Sequence, residues 1–355
     1  MNQKNIGNLL IVLVIFSSLM VGFNDNLTLK IESYSPILST RYQVEDTLNV
    51  VASISIVADF TNNLGEGMFT ATSIVEGNEN PHIYEPTPEE VETVANADLF
   101  VRMGLGGLEP WVENILKANP ELNVLTIFND SMMEYDPIID KKNPHVWMDP
   151  EIAKTMVQNI YTELIVLDPL NTDQYQVNRE VYLGELDDLL GRIDEAKNQF
   201  QGLKVVVHHP SFKYLFDLLG IERIASIEQA DGSEPSAEEI ANLITKIQTE
   251  NVDLIVNQPQ LDDDLVHQIA RDTSIQIVEL TPLLGIRDIE GYVLEKGARL
   301  EHYISMIDYN LEALLHPYDP PVTTINWYWW VLIGVGGIGI IGLGTTVIAV
   351  RIRKD

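Results

Sequence analysis

The chain has seven histidines and no cysteine, so any transition-metal chemistry must run through imidazole, carboxylate and carbonyl oxygen. Three histidine sites share a setting. His82 lies in Asn80-Pro81-His82-Ile83-Tyr84-Glu85-Pro86, and His145 in Asn143-Pro144-His145-Val146-Trp147-Met148-Asp149-Pro150. His208 and His209 close an apolar run just before Pro210. A neutral imidazole can give its lone pair to a divalent ion, and a neighbouring proline limits the backbone entropy lost when the ion is gripped. One loop histidine alone would read as an exposed or hydrogen-bonded residue; three in proline-flanked blocks point to a shared metal site. His267, His302 and His316 lie in or after helical patterns without that setting and read as structural or exposed. There is no H-E-x-x-H, no nucleophile elbow and no general base placed by a ligand motif, so the chain does not read as an enzyme. The lack of cysteine removes disulfides, thiolate sites and a lipid-carrying cysteine together.

These blocks need elements to hold them. Residues 49–54, 69–75, 98–103 and 123–128 read as strands, alternating with helices over 56–64, 87–96 and 108–119. A second series has strands at 204–208, 253–257 and 276–280 and helices at 211–219, 236–249, 262–271 and 291–315. Thr87-Pro88-Glu89-Glu90, and Ser236 with Glu239, are capping-box helix starts. Repeated β-α units argue for parallel sheets, whose ligands bind beyond the carboxyl ends of the strands. Between the series, residues 149–167 read as a helix and 172–201 as one long helix of about 45 Å, suited to joining two lobes. The expected fold is α/β: two lobes of parallel-sheet β-α architecture joined by one long helix, plus terminal hydrophobic segments. The expected boundaries are 48–171 for the first lobe, 172–201 for the linking helix and 202–316 for the second lobe.

The ends read differently. Residues 1–23 have a short charged start and an apolar run, as in a signal peptide or N-terminal anchor, and 24–47 form a polar spacer. Residues 327–350 contain no charged side chain; as a helix they would reach about 36 Å, enough to span a bilayer. Trp327, Tyr328, Trp329 and Trp330 form an aromatic belt at one end, and Arg351, Arg353 and Lys354 a basic stop at the other. This pattern predicts a transmembrane helix with a cytoplasmic C-terminus and extracytoplasmic lobes. Elsewhere the chain is acidic, with 53 Asp and Glu against 22 Lys and Arg. That surface repels phosphate backbones and excludes nucleic acid as a partner, while it attracts cations.

The blocks NPHIYEPTPEE, NPHVWMDP and HPSFKYLFDLLGIE, with EPSAEEI before VDLIVNQPQ and the phrase MGLGGLEPWVENI, resemble the zinc/manganese solute-binding protein family of metal ABC importers. The resemblance runs, in order, over nearly all of residues 48–316. It implies two α/β lobes joined by one long helix, and delivery of a divalent transition metal to an ABC permease driven by a cytoplasmic ATPase. It also implies that His82 and His145 are the first two ligands. The third falls on His209, which immediately precedes Pro210-Ser211-Phe212-Lys213-Tyr214; the adjacent His208 points the other way along a strand. At the fourth position, where many members carry Asp in a short Asp-Pro-Leu stretch, this chain has Thr281-Pro282-Leu283. A neutral hydroxyl is a poor metal ligand, so the fourth ligand is water or a carboxylate from elsewhere, with Glu279 the candidate on the same strand face. An imidazole-rich set lacking that Asp favours zinc over manganese. Two other readings stay open at this point. Three histidines with an open position also suit a membrane-tethered zinc hydrolase, and a metal-dependent adhesion or scaffold protein would use the ion structurally.

Overall fold

The run Val50–Ile54 (β1) is buried along its whole length, as a central parallel strand covered on both faces must be. In the computed structural model, which describes residues 48–228, 235–286 and 300–320, β1 sits inside a four-stranded sheet. Its other strands are Thr72–Val75 (β2), Leu99–Arg102 (β3) and Val124–Thr126 (β4), in the order β2-β1-β3-β4, and every pairing is parallel. Helices Ser55–Gly65 (α1) and Pro88–Ala95 (α2) join the strands, and α2 starts at the Thr87–Glu90 capping box. The helix expected over 108–119 is only one turn, Val112–Ile115 (α3), followed by a 3-10 turn. The side chains ahead of it turn inward instead: Glu109 Oε1 accepts the Gly104 N–H at 2.6 Å, and Trp111 Nε1 donates to the Pro81 carbonyl at 3.1 Å.

A short antiparallel hairpin, Tyr135–Asp136 (β5) with Lys141–Lys142 (β6), leads to His145. Two long helices follow, Pro150–Leu167 (α4) and Thr172–Phe200 (α5). The second sheet contains Lys204–Val207 (β7), Glu222–Ser226 (β8), Leu254–Asn257 (β9) and Gln276–Glu279 (β10), in the order β10-β9-β7-β8 and again all parallel. Its helices are Lys213–Leu219 (α6), Ala237–Glu250 (α7) and Asp264–Thr273 (α8). The edge strand β8 is a feature the sequence reading lacked: Gly220, at φ 70°, closes α6 and sends the chain straight into it. The last described helix, Tyr303–Ala313 (α9), is shorter than the expected 291–315. It begins where the buried Asp59 of α1 accepts the Tyr303 N–H at 3.0 Å. The expected signal segment, spacer and transmembrane helix (1–23, 24–47 and 327–350) lie outside the described residues. Among the described residues no helix is long and apolar enough to cross a membrane.

Alternation along the second sheet divides its contacts. Val205, Val207, Val256 and Val278 face a core shared with the first sheet, whereas Val206, Ile255 and Ile277 face a smaller cluster under α7 and α8. The shared core passes through α5, which buries Tyr175, Tyr182, Leu186, Leu189, Ile193 and Phe200 at helical spacing. It packs on α1 and α4 from one half and on α6 and α9 from the other, so a single apolar core unites both halves.

Polar ties reinforce it. Arg223 of β8 holds Asp136 of β5 through two hydrogen bonds, at 2.8 and 3.1 Å. Trp147 Nε1 donates to the Pro282 carbonyl at 2.7 Å, and Tyr303 donates to the Trp147 carbonyl at 2.6 Å. Gly77, at φ 116°, lies against the Leu284 backbone so closely that an added Cβ would sit 1.5 Å from the Leu284 carbonyl oxygen.

Two stability predictions follow from buried charge. Arg223→Ala leaves the fully buried Asp136 carboxylate without its cation and should cost about 3–5 kcal/mol in urea denaturation; a loss below about 1 kcal/mol counts against the tie. Burial pushes the Glu109 carboxyl up to about 7. A folded pKa above the unfolded value of about 4.3 means that stability is lost as pH rises from there through the folded value. Glu109→Gln keeps the acceptor for Gly104 without ionising, so it should gain on the wild type at pH ~8 and match it near pH ~4. Equal pH profiles for the two proteins would refute the assignment.

Candidate metal centre

Two of the three singled-out loops are locked by a local side-chain hydrogen bond before any ion is considered. Residues Pro81–Ile83 form a 3-10 turn after β2, and Asn80 Oδ1 accepts the His82 N–H at 3.0 Å. After the β5–β6 hairpin, Asn143 Oδ1 accepts the His145 N–H, also at 3.0 Å. Both are Asx turns, with the Asn two residues ahead of its histidine. Asn143 is itself held by Nδ2 donation to Asp136 at 2.9 Å and to the Pro210 carbonyl at 2.8 Å. His209 lies two residues past the end of β7, at the carboxyl end of the second sheet.

The structure brings His82, His145 and His209 together, all buried, with one ring nitrogen from each within 4.8 Å of the others. Ring centroids lie 5.1–5.3 Å apart. The opposite nitrogen is occupied in every ring. His82 Nδ1 donates to the Gly107 carbonyl at 2.6 Å, and His145 Nδ1 to Asn143 Oδ1 at 2.9 Å. His209 Nδ1 donates to Glu228 Oε2 at 2.6 Å. These acceptors set the tautomers, which leaves the Nε2 lone pairs turned inward. His82 Nε2 and His145 Nε2 are then two lone pairs 3.3 Å apart, and His209 Nε2 is buried with no hydrogen-bond partner among the described residues. Such a set repels itself and is relieved by a cation. Burial, then the neighbouring His209 and His82, hold the His145 imidazole well below its usual pKa, in the neutral form that a metal needs. Glu228 on His209 is the carboxylate–histidine arrangement that orients a ligand and raises its basicity.

The other candidates sit elsewhere. His208 donates its backbone N–H to Val256 and bonds Asn257 Oδ1 through Nδ1 at 3.0 Å, and it does not belong to the triad's group. Glu279 is the last residue of β10 and does not belong to the triad's group. Strand alternation had placed it with Thr281, but the strand ends at Glu279. Thr281 lies in the following turn, where its hydroxyl donates to the Leu283 carbonyl at 2.8 Å. His267, His302 and His316 pair with Asp263, Asp59 and Glu312. A second acidic group, Asp262, Asp263 and Asp264, is consecutive in sequence and largely solvated. The sequence reading had missed Gly107, Asn143 and Glu228 as supports. The repeated Asn-Pro-His carried a signal for Asn143; Glu228 follows the unanticipated β8 and had none.

The triad lines a small pocket with Trp147, Ser211, Gln258, Gln260 and Pro282, walled by loops from both halves. A family model described as zinc-uptake complex component A, periplasmic (ZnuA), matches residues 50–316. The metal ABC transporter substrate-binding lipoprotein ScbA of Streptococcus cristatus is 30% identical over 278 residues, covering 75% of this chain and 87% of ScbA. The manganese ABC transporter substrate-binding lipoprotein PsaA of Streptococcus anginosus is 29% identical, covering 75% of this chain and 88% of PsaA. A crystal structure of ZnuA superposes with a TM-score of 0.66 at 25% identity, covering 76% of this chain and 98% of that one. The periplasmic zinc-binding protein TroA of Treponema pallidum shares the fold, with a TM-score of 0.65 at 22% identity over 75% of this chain and 97% of TroA. The chain therefore belongs to the ZnuA family of extracytoplasmic metal-binding components of ABC importers, which are solute-binding proteins and not enzymes.

Proposed function

We propose that this protein captures zinc outside the membrane through His82, His145 and His209 and hands it to an ABC permease coupled to a cytoplasmic ATPase. The observation that carries this reading is the fixed tautomer of all three rings, whose Nε2 lone pairs converge in one buried pocket. Relatives are named for manganese as well as for a metal in general, so the donor set has to decide the ion. Imidazole nitrogen suits zinc, and manganese favours carboxylate and water oxygen. No Asp or Glu among the described residues joins the triad's group, which supports zinc. The acid excess of the chain draws cations toward the pocket at low ionic strength.

Residues 327–350 serve in this reading as the anchor that holds the lobes on the extracytoplasmic side. The relatives ScbA and PsaA are named lipoproteins, whereas this chain has no cysteine to carry a lipid. An apolar segment with an aromatic belt and a basic stop does the same work.

Calorimetry with a competing chelator checks the site. His82→Ala, His145→Ala and His209→Ala should each lower zinc affinity by at least about 100-fold, and Glu228→Ala by about 10–100-fold, as for an outer-shell partner. His208→Ala should leave affinity unchanged. Loss at His208 with none at His209 would reverse the assignment, and manganese displacing zinc at equal concentration would overturn the ion. Fractionation checks the anchor: a chain ended at Asp319 should leave the membrane pellet, provided the N-terminal segment is removed, as N-terminal sequencing would report. A truncated and processed chain still in the pellet would remove residues 327–350 from that role.

A further inference from the structure

The loop after β9 brings two glutamines to the pocket. Gln258 is accounted for, because its amide oxygen accepts the Ser211 hydroxyl at 3.0 Å. Gln260 is different. Its Nε2 donates to the Gly77 carbonyl at 3.0 Å and to Thr281 Oγ1 at 2.9 Å, which uses both amide hydrogens. The reverse assignment of the amide fails, since the Gly77 carbonyl can only accept. The remaining atom, Gln260 Oε1, is buried without a hydrogen-bond partner among the described residues. An orphaned buried acceptor is costly to keep and calls for a ligand. His209 Nε2 is a second orphan, and the two residues line the same pocket.

We propose that Gln260 Oε1 is the fourth donor to the captured ion, a neutral carbonyl oxygen that closes the coordination sphere where Thr281 has no carboxylate to offer. The inference rests on the triad being the capture site. Two hydrogen bonds aim the amide, so the oxygen is oriented before the ion arrives and little entropy is lost on binding. Three imidazoles and one amide oxygen carry no formal charge, and a full four-coordinate shell leaves no position for a metal-bound water. Capture without hydrolytic chemistry follows from that closure.

Cobalt(II) in place of zinc gives a spectroscopic test. A metal-bound water on a site of this kind ionises near pH ~7 and changes the cobalt absorption as it does so. The wild-type cobalt protein should show a spectrum independent of pH from about 6 to about 9, a span that brackets that value. Gln260→Ala admits water, so its spectrum should titrate in that range, with zinc affinity lower by about tenfold or more. Gln260→Met serves the same purpose if the alanine variant does not fold. A merely structural role for the glutamine would change affinity without producing the titration. A wild-type spectrum that already titrates, or a variant spectrum that stays flat, rules out Gln260 as the donor and leaves the triad standing. Unchanged cobalt affinity in His145→Ala would instead sink the triad itself.

Discussion

Three Nδ1–H hydrogen bonds, to the Gly107 carbonyl, the Asn143 amide oxygen and the Glu228 carboxylate, decide which edge of each imidazole faces the pocket. An imidazole free to rotate or exchange tautomers would present N–H as readily as a lone pair, and three such rings would satisfy one another with no need for an ion. Here the proton of each ring is engaged on the far side, so the pocket collects lone pairs only. The surrounding structure can be understood as the means of keeping those three acceptors where they are. Glu109 pins Gly104 in the loop that supplies Gly107. The Asp136–Arg223 pair and the Pro210 carbonyl hold Asn143. The edge strand β8 delivers Glu228.

Because the acceptors come from both halves, the halves must keep a constant relation. A flexible linker would let the rings drift by more than the few tenths of an ångström that a coordination shell tolerates. The solution is a shared core: α5 is covered by helices from both sides, and the strands flanking the pocket bury their valines into the same cluster. At the pocket's rim the Trp147 side chain adds a tie to the Pro282 carbonyl, and the Tyr303 hydroxyl one to the Trp147 carbonyl.

Much of this was legible in local chemistry. The long helix was read over 172–201 and is observed over 172–200, since its apolar spacing continues unbroken by proline. The capping boxes at Thr87 and Ser236 start their helices as the side chains require. The three histidines stood out through repeated Asn-Pro-His and His-Pro settings. What escaped had no local signature. The strand Glu222–Ser226 is an edge strand with charged residues and follows a glycine turn. The hairpin before His145 pairs only two residues on each side. The one-turn helix at Val112–Ile115 yields to side chains that bond inward. The strand stops at Glu279, so alternation along β10 does not carry across the turn to Thr281. Gln260 passed unnoticed because a neutral amide in a loop resembles any solvated residue until its two donors are seen to be spent.

Gly77 lets two loops approach each other beside Gln260. Its backbone meets the Leu284 carbonyl with nothing between them, at a φ that favours glycine, and its own carbonyl receives the Gln260 amide. The close approach of these two backbones therefore depends on the absence of a single methyl group. Any larger residue at this position would act as a doorstop between the two backbones, and would shift the carbonyl on which the Gln260 amide hangs.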